Sequence, residues 1–223
     1  MMWGSGWVRR SPPVLALVCL LSVGGGFAAA QESVNTPEAR DRGTVGFFLG
    51  QTSSRQLWGG NLATDRLNGL SLGIFVDVQT PVPALLVRAE LGYAGRGTIV
   101  WDLEEDPERA QEARVKVHYI SFPVHGMVEL RLGPVVGYVF AGPTVDVLVA
   151  SDCSMEFCPG MGEEKGAVVN AAGGIALGFD LPREIRARFE LRFTEGLGDA
   201  YLGGIVSARN RSAEMLVRLG RPF

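Results

Sequence analysis

The chain has 223 residues, a formal net charge of −3, 47% hydrophobic and 20% charged residues, and 30 glycines. That length holds one barrel-sized domain or two small ones, and no low-complexity linker divides it, so one domain is expected. The mildly acidic balance without a basic patch excludes a nucleic-acid binder.

Arg9 and Arg10, the apolar run Val14 to Leu21 and the small residues Ala28-Ala29-Ala30 mark residues 1–30 as a secretory signal peptide cut after Ala30. Its loss takes two arginines and no acid, moving the formal charge from −3 to −5. No later apolar run reaches the roughly 20 residues of a spanning helix, so any membrane span has to be made of strands. Residues 31–42 are polar and unpatterned and read as a flexible periplasmic lead-in. Residues 43–223 then carry strand periodicity.

The first strand, from Gly43 to Gly50, sets Val45, Phe47 and Leu49 on one face, and a loop of about 17 residues containing Trp58 follows. The second turns Leu70, Leu72, Ile74, Val76 and Val78 outward against Ser71, Gly73, Phe75 and Asp77, and stops at Thr80-Pro81-Val82-Pro83. In the third, Leu85, Val87, Ala89, Leu91 and Tyr93 face out while Arg88, Glu90 and Gly92 face in. An acidic loop near Asp102 to Ala113 leads to a fourth strand, Arg114 to Leu130, which turns through Arg131-Leu132-Gly133 into a fifth, Pro134 to Val149. A long loop, Ala150 to Lys165, precedes the sixth strand, Ala167 to Asp180, with Ala171, Ile175, Leu177 and Phe179 outward and Asn170 and Asp180 inward. After Leu181-Pro182-Arg183, Ile185 to Phe193 alternates without a fault: Ile185, Ala187, Phe189, Leu191 and Phe193 against Arg186, Arg188, Glu190 and Arg192. Glu195 to Asn210 forms the fourth long loop, and the last strand carries Ala213, Met215, Val217, Leu219 and Phe223 opposite Glu214 and Arg218.

A strand with one apolar face and one densely charged face has two solvents, and a closed barrel in a bilayer supplies both. The expected fold is all-β, an eight-stranded antiparallel up-and-down transmembrane β-barrel in the outer membrane of a Gram-negative-type bacterium. Short turns would lie in the periplasm and four long loops outside. Asp77, Arg88, Glu90, Glu129, Arg186, Arg188, Glu190, Arg192, Glu214 and Arg218 are expected to form a lumen charge network. Met215, Val217, Leu219 and the terminal Phe223 match the alternating signal read by the barrel-assembly machinery, from which Arg221 departs. Two places break the pattern. Pro123 lies inside the fourth strand with Lys116 and His118 on its outward register, which calls for a bulge or for residues 114–118 standing above the lipid. Asp146 falls outward if Tyr138 and Phe140 are outward, which calls for a register shift near Gly142-Pro143.

Tyr119-Ile120-Ser121-Phe122-Pro123-Val124, followed by Phe140-Ala141-Gly142-Pro143, resembles the PorT-like family of outer-membrane β-barrel domains over roughly Gly43 to Phe223. Ser121 stands where that family often has an acid. The resemblance implies an eight-stranded outer-membrane barrel and no enzyme.

Cys153 and Cys158 are expected to close a local disulfide in the third external loop, since neither histidine is near enough in sequence to complete a metal site. Ser121, His125 and Glu129 share a face and raise the alternative of a lipid-modifying hydrolase; membership in the lumen network is the competing reading. Asp102, Glu104, Glu105, Asp106 and Glu108 either are solvated loop charge or bind divalent cations. Trp58 and Trp101 suit the membrane interface or loop tips. The expected function is non-catalytic, envelope-structural or surface-binding, without a cofactor. The partners are outer-membrane lipids, lipopolysaccharide and an unknown surface ligand. A soluble lipocalin-like periplasmic binder is the remaining alternative, and it predicts an apolar lumen and a polar exterior.

Overall fold

Segments that are apolar on one face and charged on the other cannot lie flat in a single solvent, and closing the sheet on itself also removes every unpaired edge. The computed structural model describes residues 42–58, 63–102, 111–154, 163–202 and 208–223. Within them lie β1 (Gly43–Trp58), β2 (Ala63–Gln79), β3 (Leu85–Asp102), β4 (Gln111–Leu132), β5 (Val135–Cys153), β6 (Glu163–Glu164), β7 (Ala167–Leu181), β8 (Ile185–Gly196), β9 (Tyr201–Leu202) and β10 (Ala208–Pro222). Eight of these close an antiparallel barrel in the order β1-β10-β8-β7-β5-β4-β3-β2, while β6 and β9 pair with each other. No described helix is long and apolar enough to cross a membrane. The expected signal peptide, residues 1–30, and all but the last residue of the expected lead-in, 31–42, lie outside the described residues.

The barrel closes between its first and last strands, paired from Thr44↔Pro222 to Trp58↔Ala208. The terminal residue extends this seam: Phe223 N donates to Gly43 O (3.0 Å), and Arg42 N donates to Phe223 O (2.8 Å). Met215, Val217, Leu219 and Phe223 all lie on the outer file, the first, second and fourth of them exposed.

Along β8 the alternation of the sequence becomes an alternation of environments. Phe189 and Phe193 are 58% and 63% exposed, whereas Arg188, Glu190 and Arg192 are buried in the lumen. Asp77, Glu90, Glu214 and Arg218 are buried on the same inner side. An apolar exterior around a charged interior is the reverse of the lipocalin-like alternative.

The short turns are tight. Thr80 Oγ1 donates to Leu85 O (2.9 Å) and accepts from Val82 N (3.2 Å) between β2 and β3. Gly133 holds φ at 65° in the turn between β4 and β5, where a side chain would be strained.

At the other end the long connections are shorter than the sequence suggests, because the polar segments continue the ladder. The polarity of the segment after Gly50 predicts a loop of about 17 residues, yet β1 runs to Trp58 and β2 begins at Ala63. Likewise β3 reaches Asp102, β4 begins at Gln111 and β5 reaches Cys153. Backbone pairing needs no apolar side chain, so polarity marks where the exterior changes rather than where the strands stop.

Of the two expected irregularities, the bulge is displaced from Pro123 and the register shift near Pro143 is absent. Pro123 interrupts the β3–β4 ladder between Ala89↔Val124 and Gly92↔Ser121 without changing its register. The bulge lies higher, where Tyr119 pairs with Leu148 but His118 with Ala150, so that Val149 is the extra residue. Lys116 and His118 therefore stay on the outer face, the former exposed and the latter half-buried. No shift occurs at Gly142-Pro143, where β5 and β7 pair continuously from Val135↔Phe179 to Val147↔Ala167. Tyr138 and Phe140 point inward together with Asp146.

Candidate functional site

The lumen is filled in tiers. Its middle holds five arginines, Arg88, Arg96, Arg188, Arg192 and Arg218, against five carboxylates, Asp77, Glu90, Asp146, Glu190 and Glu214. Arg88 donates from Nε to Asp77 (2.6 Å) and from Nη1 to Glu190 (2.7 Å), and Arg188 also donates to Asp77. Glu190 further accepts from Arg218 Nε (2.6 Å) and Arg192 Nη2 (2.9 Å), and Glu90 accepts from both of those arginines at 2.8 Å. Planar guanidinium forks suit this bridging between strands, since each offers several donors in fixed directions.

Aromatic rings floor the arginines. Arg218 lies 4.6 Å over Phe48, Arg188 4.5 Å over Tyr138, and Arg88 5.2 Å over Phe75. The rings fit because facing strands carry glycine: a Cβ at Gly73 or Gly92 would come within 2.8 or 2.7 Å of the Phe48 ring. Phe140 uses Gly174 in the same way, at 2.7 Å.

Two members of the tier were missed in the sequence. Arg96 donates to Asp146 and, at 3.4 Å, to Glu214; Asp146 also accepts from Ser121 Oγ (2.5 Å) and Asn170 Nδ2 (2.6 Å). Extending the even-numbered file of β3 from Arg88 and Glu90 would have reached Arg96. Asp146 was left out because Tyr138 and Phe140, on its own file of β5, read as outward. Two expected members sit instead at the short-turn rim: Glu129 pairs with Arg131 (2.7 Å), and Arg186 with Asp180 (3.1 Å) and Thr44 (3.1 Å).

Toward the long connections the interior becomes apolar. Val100, Val115, Val117, Tyr119, Val168, Ala200 and Ala208 form a buried cluster against which Trp58, Leu148 and Cys153 pack. Trp58 thus faces this cluster rather than a membrane interface, whereas Trp101 is half-buried on the outer file of β3. Ala200 is carried in by the segment after β8, where its N–H donates to Ala208 O (2.8 Å) and its carbonyl accepts from Lys165 N (2.9 Å). β6 and β9 continue this link between the third and fourth long connections. Beside the charged tier, a cavity of about 10 Å³ bordered by Phe48, Ser71, Arg96, Ser121 and Glu214 has room for roughly one water.

The residues of the hydrolase alternative do not converge. Ser121 bonds Asp146, His125 lies against Phe140 (ring centroids 5.2 Å apart) and 3.8 Å from Glu90, and Glu129 is at the rim. Among the described residues no group of His, Cys, Asp and Glu is arranged to hold a metal ion. Cys158 and the acids Glu104, Glu105, Asp106 and Glu108 lie outside the described residues.

A family profile described as outer membrane protein beta-barrel domain matches residues 22–201. No curated protein sequence matches the chain. Among solved structures, the outer membrane protein OprG from Pseudomonas aeruginosa aligns with TM-score 0.53 and 11% identity over 82% of this chain and 97% of its own. Neisserial surface protein A aligns with TM-score 0.42 and 11% identity over 79% and 95%. Ail, the attachment invasion locus protein of Yersinia pestis, aligns with TM-score 0.39 and 13% identity over 82% and 99%.

Proposed function

Because the chain belongs to the outer membrane protein beta-barrel domain family, we propose that it is a non-catalytic outer-membrane barrel whose closed body mounts its long connections for structural or binding work at the cell surface. The observation that carries this reading is the filled lumen: five ion-paired arginines with five carboxylates below, and an apolar cluster above. Eight strands enclose an interior that side chains can fill. Opening a path through it would separate buried ion pairs, each costing several kcal/mol, on the order of 3–5. The long connections are then the parts free to vary and to bind. The Tyr119-to-Pro123 and Ala141-Gly142-Pro143 motifs support the finer placement among PorT-like barrels.

The test is joint. The mature chain, beginning at Gln31, is expected in the outer-membrane fraction and to migrate faster unheated than boiled in detergent gels. Purified and reconstituted in planar bilayers, it is expected to give no steady conductance. Regular protein-dependent channels would replace surface binding with transport, and recovery as a soluble periplasmic protein would end the membrane reading.

Cys153, at the end of β5, and Cys158, five residues on, are proposed to bridge in the oxidising compartment and stiffen the third connection. Peptide mapping without reductant is expected to recover the two cysteines in one linked peptide. Two separate thiol peptides would refute the bridge.

A further inference from the structure

Outward-facing arginines gather where β1, β8 and β10 leave the apolar belt toward the long connections. The outer file of β10 runs from Val217, Met215 and Ala213 to Arg211 and Arg209; that of β1 runs from Phe47 and Leu49 through Gln51 and Ser53 to Arg55. The register sets Arg55 directly across from Arg211, with Arg209 two residues further along. Like charges directly opposed on neighbouring strands repel. Among the described residues, the carboxylate bonded to this group is Glu195 of β8, which accepts from Arg211 at Nε (2.7 Å) and Nη2 (2.8 Å). Arg209 is exposed, and Arg55, half-buried, keeps a buried Nε without a hydrogen-bond partner among the described residues. Residues 59–62 and 203–207 contain no acidic residue in sequence, while Asp199 lies in the connection between β8 and β9 and Asp65 near the start of β2. Three guanidiniums therefore share one bonded carboxylate on a chain of net charge −3.

Directly below lies the most exposed part of the belt, with Phe193 at 63% and Met215 at 61%. A ligand matching both features carries an anionic head at the level of the arginines and apolar tails beneath it. We propose that Arg55, Arg209 and Arg211 bind a phosphate of the phosphorylated glycolipid of the outer leaflet, with its acyl chains lying over Phe193 and Met215. Guanidinium forks match phosphate oxygens in pairs, and the incoming anion relieves the repulsion between Arg55 and Arg211. A soluble polyanion would make no use of the belt. The inference rests on the outer-membrane reading, with the long connections facing outward.

The experiment uses the full mature chain in phosphatidylcholine nanodiscs, with bound lipid counted by native mass spectrometry during titration. The probes are bis-phosphorylated lipid A, the same lipid dephosphorylated, and inorganic phosphate as competitor. Wild type is expected to prefer the phosphorylated lipid, and Arg55→Gln and Arg209→Gln each to weaken it about tenfold, the loss of one charged hydrogen-bonded contact. Arg55→Lys is expected to bind better than Arg55→Gln, and Arg183→Gln at the opposite rim to bind as wild type. The heat-dependent gel shift reports folding of every variant. An inserted, heat-shifted barrel that binds both lipids equally, that ignores Arg55→Gln and Arg209→Gln, or that yields its lipid to inorganic phosphate would overturn the site alone. A chain that stays soluble without detergent and lacks the gel shift would overturn the site and the membrane reading together.

Discussion

Replacing Glu190 with alanine is expected to destabilise the barrel by about 3–5 kcal/mol, the cost of leaving a buried charge uncompensated. Glu190 accepts from Arg88, Arg192 and Arg218, more arginines than any other carboxylate of the tier, and its removal leaves the interior with one cation in excess. Arg88 keeps Asp77, and Arg192 and Arg218 keep Glu90, so the barrel is expected to close but to unfold at lower denaturant. The measurement is reversible urea unfolding in lipid vesicles, followed by tryptophan fluorescence. Pairing Glu190→Leu with Arg218→Leu is expected to recover part of the loss, because an apolar pair removes both charges together. A loss below about 1 kcal/mol, typical of an exposed pair, would show that the network does not hold the interior closed.

Placing arginine at Phe189 on the same strand attacks the other face. Phe189 is 58% exposed on the outer surface, one residue from the buried Glu190, and it pairs across to Val217 and Leu177, both exposed as well. In a bilayer that surface is solvated by acyl chains, and an arginine near the midplane costs about 2–4 kcal/mol. Folding yield into vesicles, read from the heat-dependent gel shift, is expected to fall accordingly, with Leu191→Arg behaving alike. Normal insertion of both variants would mean that this face does not meet lipid. The two substitutions at 189 and 190 are adjacent in sequence yet fail for opposite reasons, one by adding a charge and the other by removing one.

Much of the charged tier was legible in β3, β8 and β10, where charged and apolar residues alternate plainly. Arg88, Glu90, Arg188, Glu190, Arg192, Glu214 and Arg218 all lie in it. The fifth strand was not legible, because Tyr138 and Phe140 are as apolar as lipid-facing residues and read as outward, which displaces Asp146. Glu129 and Arg186 share the inward parity but lie close enough to the short turns to pair at the rim with Arg131 and Asp180. Distance from the rim is a property of strand tilt and stagger, and no residue states it alone.

Period-two alternation, proline- and glycine-marked turns and the absence of a spanning helix were enough, from the chain alone, to predict an even-stranded closed barrel and to favour an apolar side facing out. These are local properties, since each residue's side of the sheet follows from its neighbours'. Which carboxylate meets which arginine, and which aromatic rings lie inside, was decided by packing between strands distant in sequence. Phe140 turns inward because Gly174 across the ladder leaves it room and Arg192, 5.9 Å above its ring, gives it a cationic neighbour. Hydrophobicity by itself carries no record of either, because a ring on a cation and a ring in lipid are equally removed from water.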